Sequence, residues 1–149
     1  MPADVRQRLL HNPDELDLRL GAGPPVAVAR PDAVDLDAPL ALEAAQALET
    51  AGISIEIVDP LTLDPLDMEL ILASVQKTRH VVIVHETRKT CGWGGEVAAR
   101  LADEALGYLD GPIKRVGAKH TPIPFSPVLE SFVLPQPGDI LTAVHECLG

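Results

Sequence analysis

The run Val81-Val82-Ile83-Val84 constrains this chain more than any other segment. Consecutive β-branched apolar residues leave no solvent face, so the run reads as a strand buried on both sides, as in a parallel sheet. Such sheets are covered by helices on both faces. The rest of the chain alternates to match. Residues 26–29 are apolar and short enough for a strand. Residues 40–51 are rich in strong helix formers and are followed by Gly52, where a C′ glycine belongs. Residues 53–58 alternate and are β-branched, hence a second strand. Asp67 is the expected cap of a helix through about Lys77, with Met68, Ile71, Leu72 and Val75 on its buried stripe. An amphipathic helix is expected over 96–108, a strand over 113–116, an extended proline-broken loop over 119–137, and a last helix capped by Asp139. The alternation predicts an α/β sandwich with a mostly parallel sheet.

The length of 149 residues fits one core. Residues 1–24 read as a lead-in and linker, and residues 25–149 as the domain. Twenty-two acidic against twelve basic side chains give a formal charge of -10, which argues against a nucleic-acid partner. The same charge suits solubility or a basic partner protein. Two cysteines without a CxxC pair fit a reducing compartment. The N-terminal stretch is charged rather than apolar, and no apolar run approaches the roughly 18 residues of a membrane span. A cytoplasmic protein is expected.

His85-Glu86 follows the most buried strand, where parallel sheets place their ligands. A zinc HExxH motif fails because Lys89 occupies the second histidine's position. A structural role for the pair outweighs a catalytic one. Gly92-Trp93-Gly94-Gly95 is almost a dinucleotide fingerprint. However, it lies six residues beyond the strand, with Val97 where the third glycine belongs. A sharp turn at a packing surface is the better reading, with Trp93 as an interface anchor. Cys91 lacks a supporting base, and the histidines lack ligand spacing, so no catalytic or metal site is expected.

Several segments stand together in a fixed order. They are Ala41-Leu42-Glu43-Ala44-Ala45 with Gly52-Ile53-Ser54, the loop Thr62-Leu63-Asp64-Pro65-Leu66-Asp67, and Val84-His85-Glu86 followed by Gly92-Trp93-Gly94-Gly95-Glu96. Last come Arg115-Val116, Thr121-Pro122-Ile123-Pro124 and Leu129-Glu130. This set resembles the C-terminal domain of transketolase-type, thiamine-diphosphate-dependent enzymes. More narrowly, it resembles that of the beta subunit of the decarboxylating component of pyruvate or branched-chain 2-oxo acid dehydrogenases. The resemblance implies a three-layer α/β sandwich around a mostly parallel five-stranded sheet with one antiparallel edge strand. It implies a domain that builds subunit contacts and helps dock the acyltransferase core. Thiamine diphosphate and magnesium would belong to the full enzyme and its preceding domain, so this chain is expected to bind no cofactor and not to be catalytic alone.

The interface candidates are His85, Glu86, Trp93, Gly94, Gly95, His120, Pro122, Pro124 and Glu130, with the loop 122–130 as a whole. The expected partners are a second copy, pyrimidine-domain or alpha subunits, and a basic binding module of the acyltransferase. The sequence departs from the family at Leu61, where an arginine is usual, at His120, where an aspartate is usual, and in a longer acidic turn over 30–37. These departures favour an alternative: a stand-alone binding or regulatory module that keeps the fold but not the complex.

Overall fold

A computed structural model describes residues 25–29, 37–60 and 62–149. The lead-in at 1–24, the turn at 30–36 and Leu61 lie outside the described residues. The chain order is β1 (Pro25–Ala29), α1 (Asp37–Thr50), β2 (Ser54–Val58), α2 (Met68–Thr78), β3 (Val81–Arg88), α3 (Gly94–Glu104), a 3-10 turn (Leu106–Tyr108), β4 (Lys114–Ala118), α4 (Pro127–Val133) and α5 (Pro137–Leu148).

The four strands form one sheet in the order β2-β1-β3-β4, and every pairing is parallel. The antiparallel fifth strand implied by the family resemblance is not among the described residues. β3 is central, and its side chains divide between two cores. Val82 and Val84 pack with Ala44, Leu48, Ile140 and Val144 beneath α1 and α5. Val81 and Ile83 pack with Ile71, Val75, Val97 and Leu101 beneath α2 and α3. The absence of alternation in the sequence thus reports two covered faces. Each fully buried Ile or Leu contributes roughly 1.5–3 kcal/mol to this sandwich.

Local chemistry explains the element ends. Gly52 takes φ 79°, the left-handed conformation expected after α1. The Asp67 carboxylate accepts from the Leu70 N–H at 3.0 Å, as expected of the α2 cap. Asp139 does not cap α5 but sits at its third position. The cap is Gln136, whose N–H donates to the Asp139 carboxylate at 2.8 Å in a reciprocal capping box, with Pro137 preset at the helix start.

Three boundaries differ from expectation. β3 continues to Arg88, so His85 and Glu86 lie within the strand; its irregular pairing between Val84 and Arg88 carries it along β4. α3 starts at Gly94 and ends at Glu104, and the remainder to Tyr108 tightens into a 3-10 turn around Gly107. The stretch 119–137 is not wholly extended. Its proline-free segment after Pro127 folds into α4, because proline is tolerated at a helix start.

Candidate functional site

The imidazole of His85 is fully buried beneath the start of α3. Its Nδ1 lies 2.6 Å from Thr87 Oγ1. Two backbone segments, the turn leading into α3 and strand β4, close around the ring at three glycines. A Cβ on Gly94 would fall 2.5 Å from His85 Cδ2 and Nε2. One on Gly92 would fall 2.9 Å from Cε1 and 2.1 Å from the Arg88 carbonyl oxygen, and one on Gly117 would fall 3.2 Å from Cε1. The glycines of Gly92-Trp93-Gly94 therefore give close approach to a buried ring rather than a phosphate cradle. Arg115 of β4 secures the same connection, donating from Nη1 to the Lys89 carbonyl oxygen at 3.1 Å. Cys91 sits in this turn, exposed, at φ 56°.

Above this packed base, a cleft of about 620 Å³ opens between the end of β3 and the segment leading into α4. Glu86, Cys91, Thr121, Pro122 and Glu130 contribute to its walls. Three expected interface residues, Glu86, Pro122 and Glu130, thus converge, while His85 and Gly94 lie beneath them. Gly95 adjoins Arg115, since a Cβ there would stand 3.3 Å from Arg115 Nη1. The other candidates are placed elsewhere. Trp93 is half-buried against the α2–α3 core. Pro124 is half-buried outside the cleft wall, and His120 is exposed beside β4.

Beside this cleft, the expected contact loop 122–130 and the following turn of α4 present an apolar rim, of which only Phe132 lies beyond the expected loop. Ile123, Phe125, Val128, Leu129 and Phe132 are all large, apolar and exposed. Phe125 is wholly exposed and Phe132 is 65% exposed, and these are the only two phenylalanines in the chain. Lys119 adds its ammonium 3.6 Å from the Phe132 ring centroid. A legible signal existed in the sequence: both phenylalanines fall in the proline-rich stretch 119–137 rather than in an apolar strand or helix stripe.

Among the described residues, no three His, Cys, Asp or Glu side chains converge as a metal site. The donor set does not fit the magnesium diphosphate that the family resemblance implies, and no step through that group is derived for this chain. No helix of the described residues is long and apolar enough to cross a membrane.

A parallel sheet with helices on both faces, a histidine sealed under a glycine turn, and an apolar rim beyond the strand ends define the class of domain. The chain belongs to the transketolase C-terminal domain family, which matches residues 37–140. It is 46% identical over 109 residues to the beta subunit of acetoin:2,6-dichlorophenolindophenol oxidoreductase of Bacillus subtilis, covering 73% of this chain and 32% of that protein. It is 40% identical over 111 residues to the mitochondrial pyruvate dehydrogenase E1 component subunit beta of Ascaris suum, covering 74% and 31%. Among solved structures, it is similar to a split-gene transketolase described as an inactive beta4 tetramer. The TM-score is 0.64 and the identity 32%, covering 87% of this chain and 40% of that one. The chain spans about a third of the length of the two enzyme subunits.

Proposed function

We propose that this chain is an assembly domain of a thiamine-diphosphate-dependent dehydrogenase beta subunit. It supplies subunit and acyltransferase-docking contacts, while the cofactor chemistry is carried by other domains. The observation that carries this reading is the exposed rim of Phe125, Val128, Leu129 and Phe132 beside the Glu86–Pro122–Glu130 cleft. An apolar patch rimmed by charge is the usual composition of an interface centre, and aromatic residues are its commonest anchors. The relatives support the assignment, being named as subunits of a pyruvate dehydrogenase component and an acetoin oxidoreductase. The oxidised substrate would then be pyruvate, another 2-oxo acid, or acetoin.

The test is association in solution. The chain is mixed with the alpha subunit and pyrimidine domain of a pyruvate dehydrogenase component, and separately with a basic acyltransferase binding module. Assembly is read by sedimentation. Phe125→Glu with Phe132→Glu is expected to abolish association while leaving the circular dichroism spectrum unchanged. If these changes leave association intact, the rim is not the interface. If the unaltered chain associates with none of these proteins, the stand-alone module becomes the better reading.

A further inference from the structure

β4 is the outer strand of the sheet, and among the described residues no strand lies beyond it. About half of an edge strand's backbone N–H and C=O groups point away from its neighbour and can template another strand. Beside β4 and α5 runs a groove of about 690 Å³. An added strand would meet different chemistry on its two faces. On one face, Lys114 is ion-paired to Glu146 of α5 at 2.8 Å, Val116 joins the core, and the α5 wall carries Asp139, Thr142 and Ala143. On the other, Arg115 reaches the Lys89 carbonyl oxygen, and a Cβ on Gly117 would stand 3.3 Å from Lys89 Cγ. One face is therefore basic, and the other is small-residued and acidic. The chain as a whole carries -10, yet four cations border this groove against two carboxylates, Asp139 and Glu146. Lys114 is paired with Glu146 and Lys119 donates to the Phe132 carbonyl oxygen, which leaves Lys89 and Arg115 as the basic pair facing an added strand.

We propose that the β4 edge docks an extended acidic segment of a partner protein, added as a strand. Its acidic side chains occupy alternate positions facing Arg115 and Lys89, and its intervening side chains are small and uncharged, facing Thr142 and Ala143. Backbone ladder bonds supply affinity, and the two-residue alternation supplies selectivity. Carboxylates on the α5 side are disfavoured by Glu146 and Asp139. Lys119 borders both this groove and the α4 rim, but Lys89 and Arg115 border the groove alone, so the Lys89 variant tests it independently of the assembly proposed above.

The probe is a capped peptide of roughly seven residues, an ordinary strand length, alternating glutamate and threonine. It is titrated into the 149-residue chain and followed by calorimetry and amide hydrogen exchange. Binding is expected to slow exchange at 114–118 and to weaken with salt. N-methylation of alternate peptide amides, or Lys89→Glu at this exposed position, is expected to lower affinity by about tenfold or more. A lysine–threonine peptide of the same length is expected not to bind. Absence of binding by the acidic peptide, indifference to N-methylation, or protection confined to residues outside β4 would each overturn the proposal.

Discussion

At the scale of single residues, the most demanding arrangement is the sealed imidazole of His85. Gly94 has no room for a methyl group on its His85 side, whereas Gly107 has nothing within 4 Å of its would-be Cβ. Gly94→Ala is therefore expected to destabilise by about 1–3 kcal/mol through overpacking, with Gly107→Ala close to neutral. Urea unfolding of the two variants checks the contrast, and equal midpoints would refute the sealed-ring geometry. The two thiols also differ by position. Cys91 is exposed, while Cys147 is buried, with Sγ 3.3 Å from the Pro112 carbonyl oxygen. Burial pushes the Cys147 thiol above its ordinary range, partly offset by a hydrogen bond from the Val81 backbone. A disulfide reagent at mildly alkaline pH is expected to modify one thiol quickly and the second only on unfolding. Rapid reaction of both thiols in the folded chain would contradict this. Since this is an acid with a raised folded pKa, its contribution to stability is complete below the unfolded thiol pKa and lost as pH rises towards the folded value.

At the scale of elements, an ion pair with a buried carboxylate joins β2 and α2. Glu56 is 3% exposed, and its Oε2 lies 2.6 Å from Lys77 Nζ. The Glu56 Oε1 is buried without a hydrogen-bond partner among the described residues. The pair is asymmetric, because the Lys77 side chain keeps 30% of its surface in water. Removing the lysine strands a buried carboxylate, whereas neutralising the carboxylate leaves an ammonium that can reach solvent. Lys77→Met is expected to cost about 2 kcal/mol and Glu56→Gln distinctly less. Chemical denaturation orders the two, and a reversed order would show that the lysine is the more dependent partner.

For the whole molecule, two exposed ion pairs between distant elements contribute to the acid limb of stability. Arg79 after α2 holds Asp110 before β4, with Nη2 2.7 Å from Oδ1, and Lys114 of β4 holds Glu146 of α5. The side-chain hydrogen bond from each cation, aided by its charge, holds each carboxyl below the ordinary range. For a depressed carboxyl, the sign is fixed. The stabilisation is present above the unfolded pKa and is lost as pH falls through the folded value. Melting temperature is expected to fall on acidification through and below the ordinary carboxylate range. Asp110→Asn should flatten that fall, and high salt should shrink it. A variant with an unchanged acid slope would remove Asp110 from the account. At the same scale, the charge of -10 predicts that association with a basic acyltransferase module weakens as salt rises. Salt-insensitive affinity would point instead to the apolar rim alone.

Local order in the chain determined much of this architecture. Val81–Val84 announced a doubly covered parallel strand because a side chain with two apolar neighbours needs two apolar faces. Asp67 and Gly52 marked helix ends because capping and left-handed turns are satisfied within a few residues. The ordered set of short motifs also carried the family, and the match over 37–140 bears that out. Other features were illegible because they depend on partners far along the chain. β3 runs past Val84 because β4 pairs with it as far as Arg88. The glycines at 92, 94 and 117 all approach the His85 ring, a convergence that only the folded chain reveals. The exposure of Phe125 and Phe132 was only partly legible, in that both fall within the proline-rich stretch 119–137. Phe132 on α4 and Phe125 just before it both stay outside, because the core is already filled by α1, α5 and the sheet. Composition determined that a core would form, but tertiary packing decided which apolar residues were left outside it.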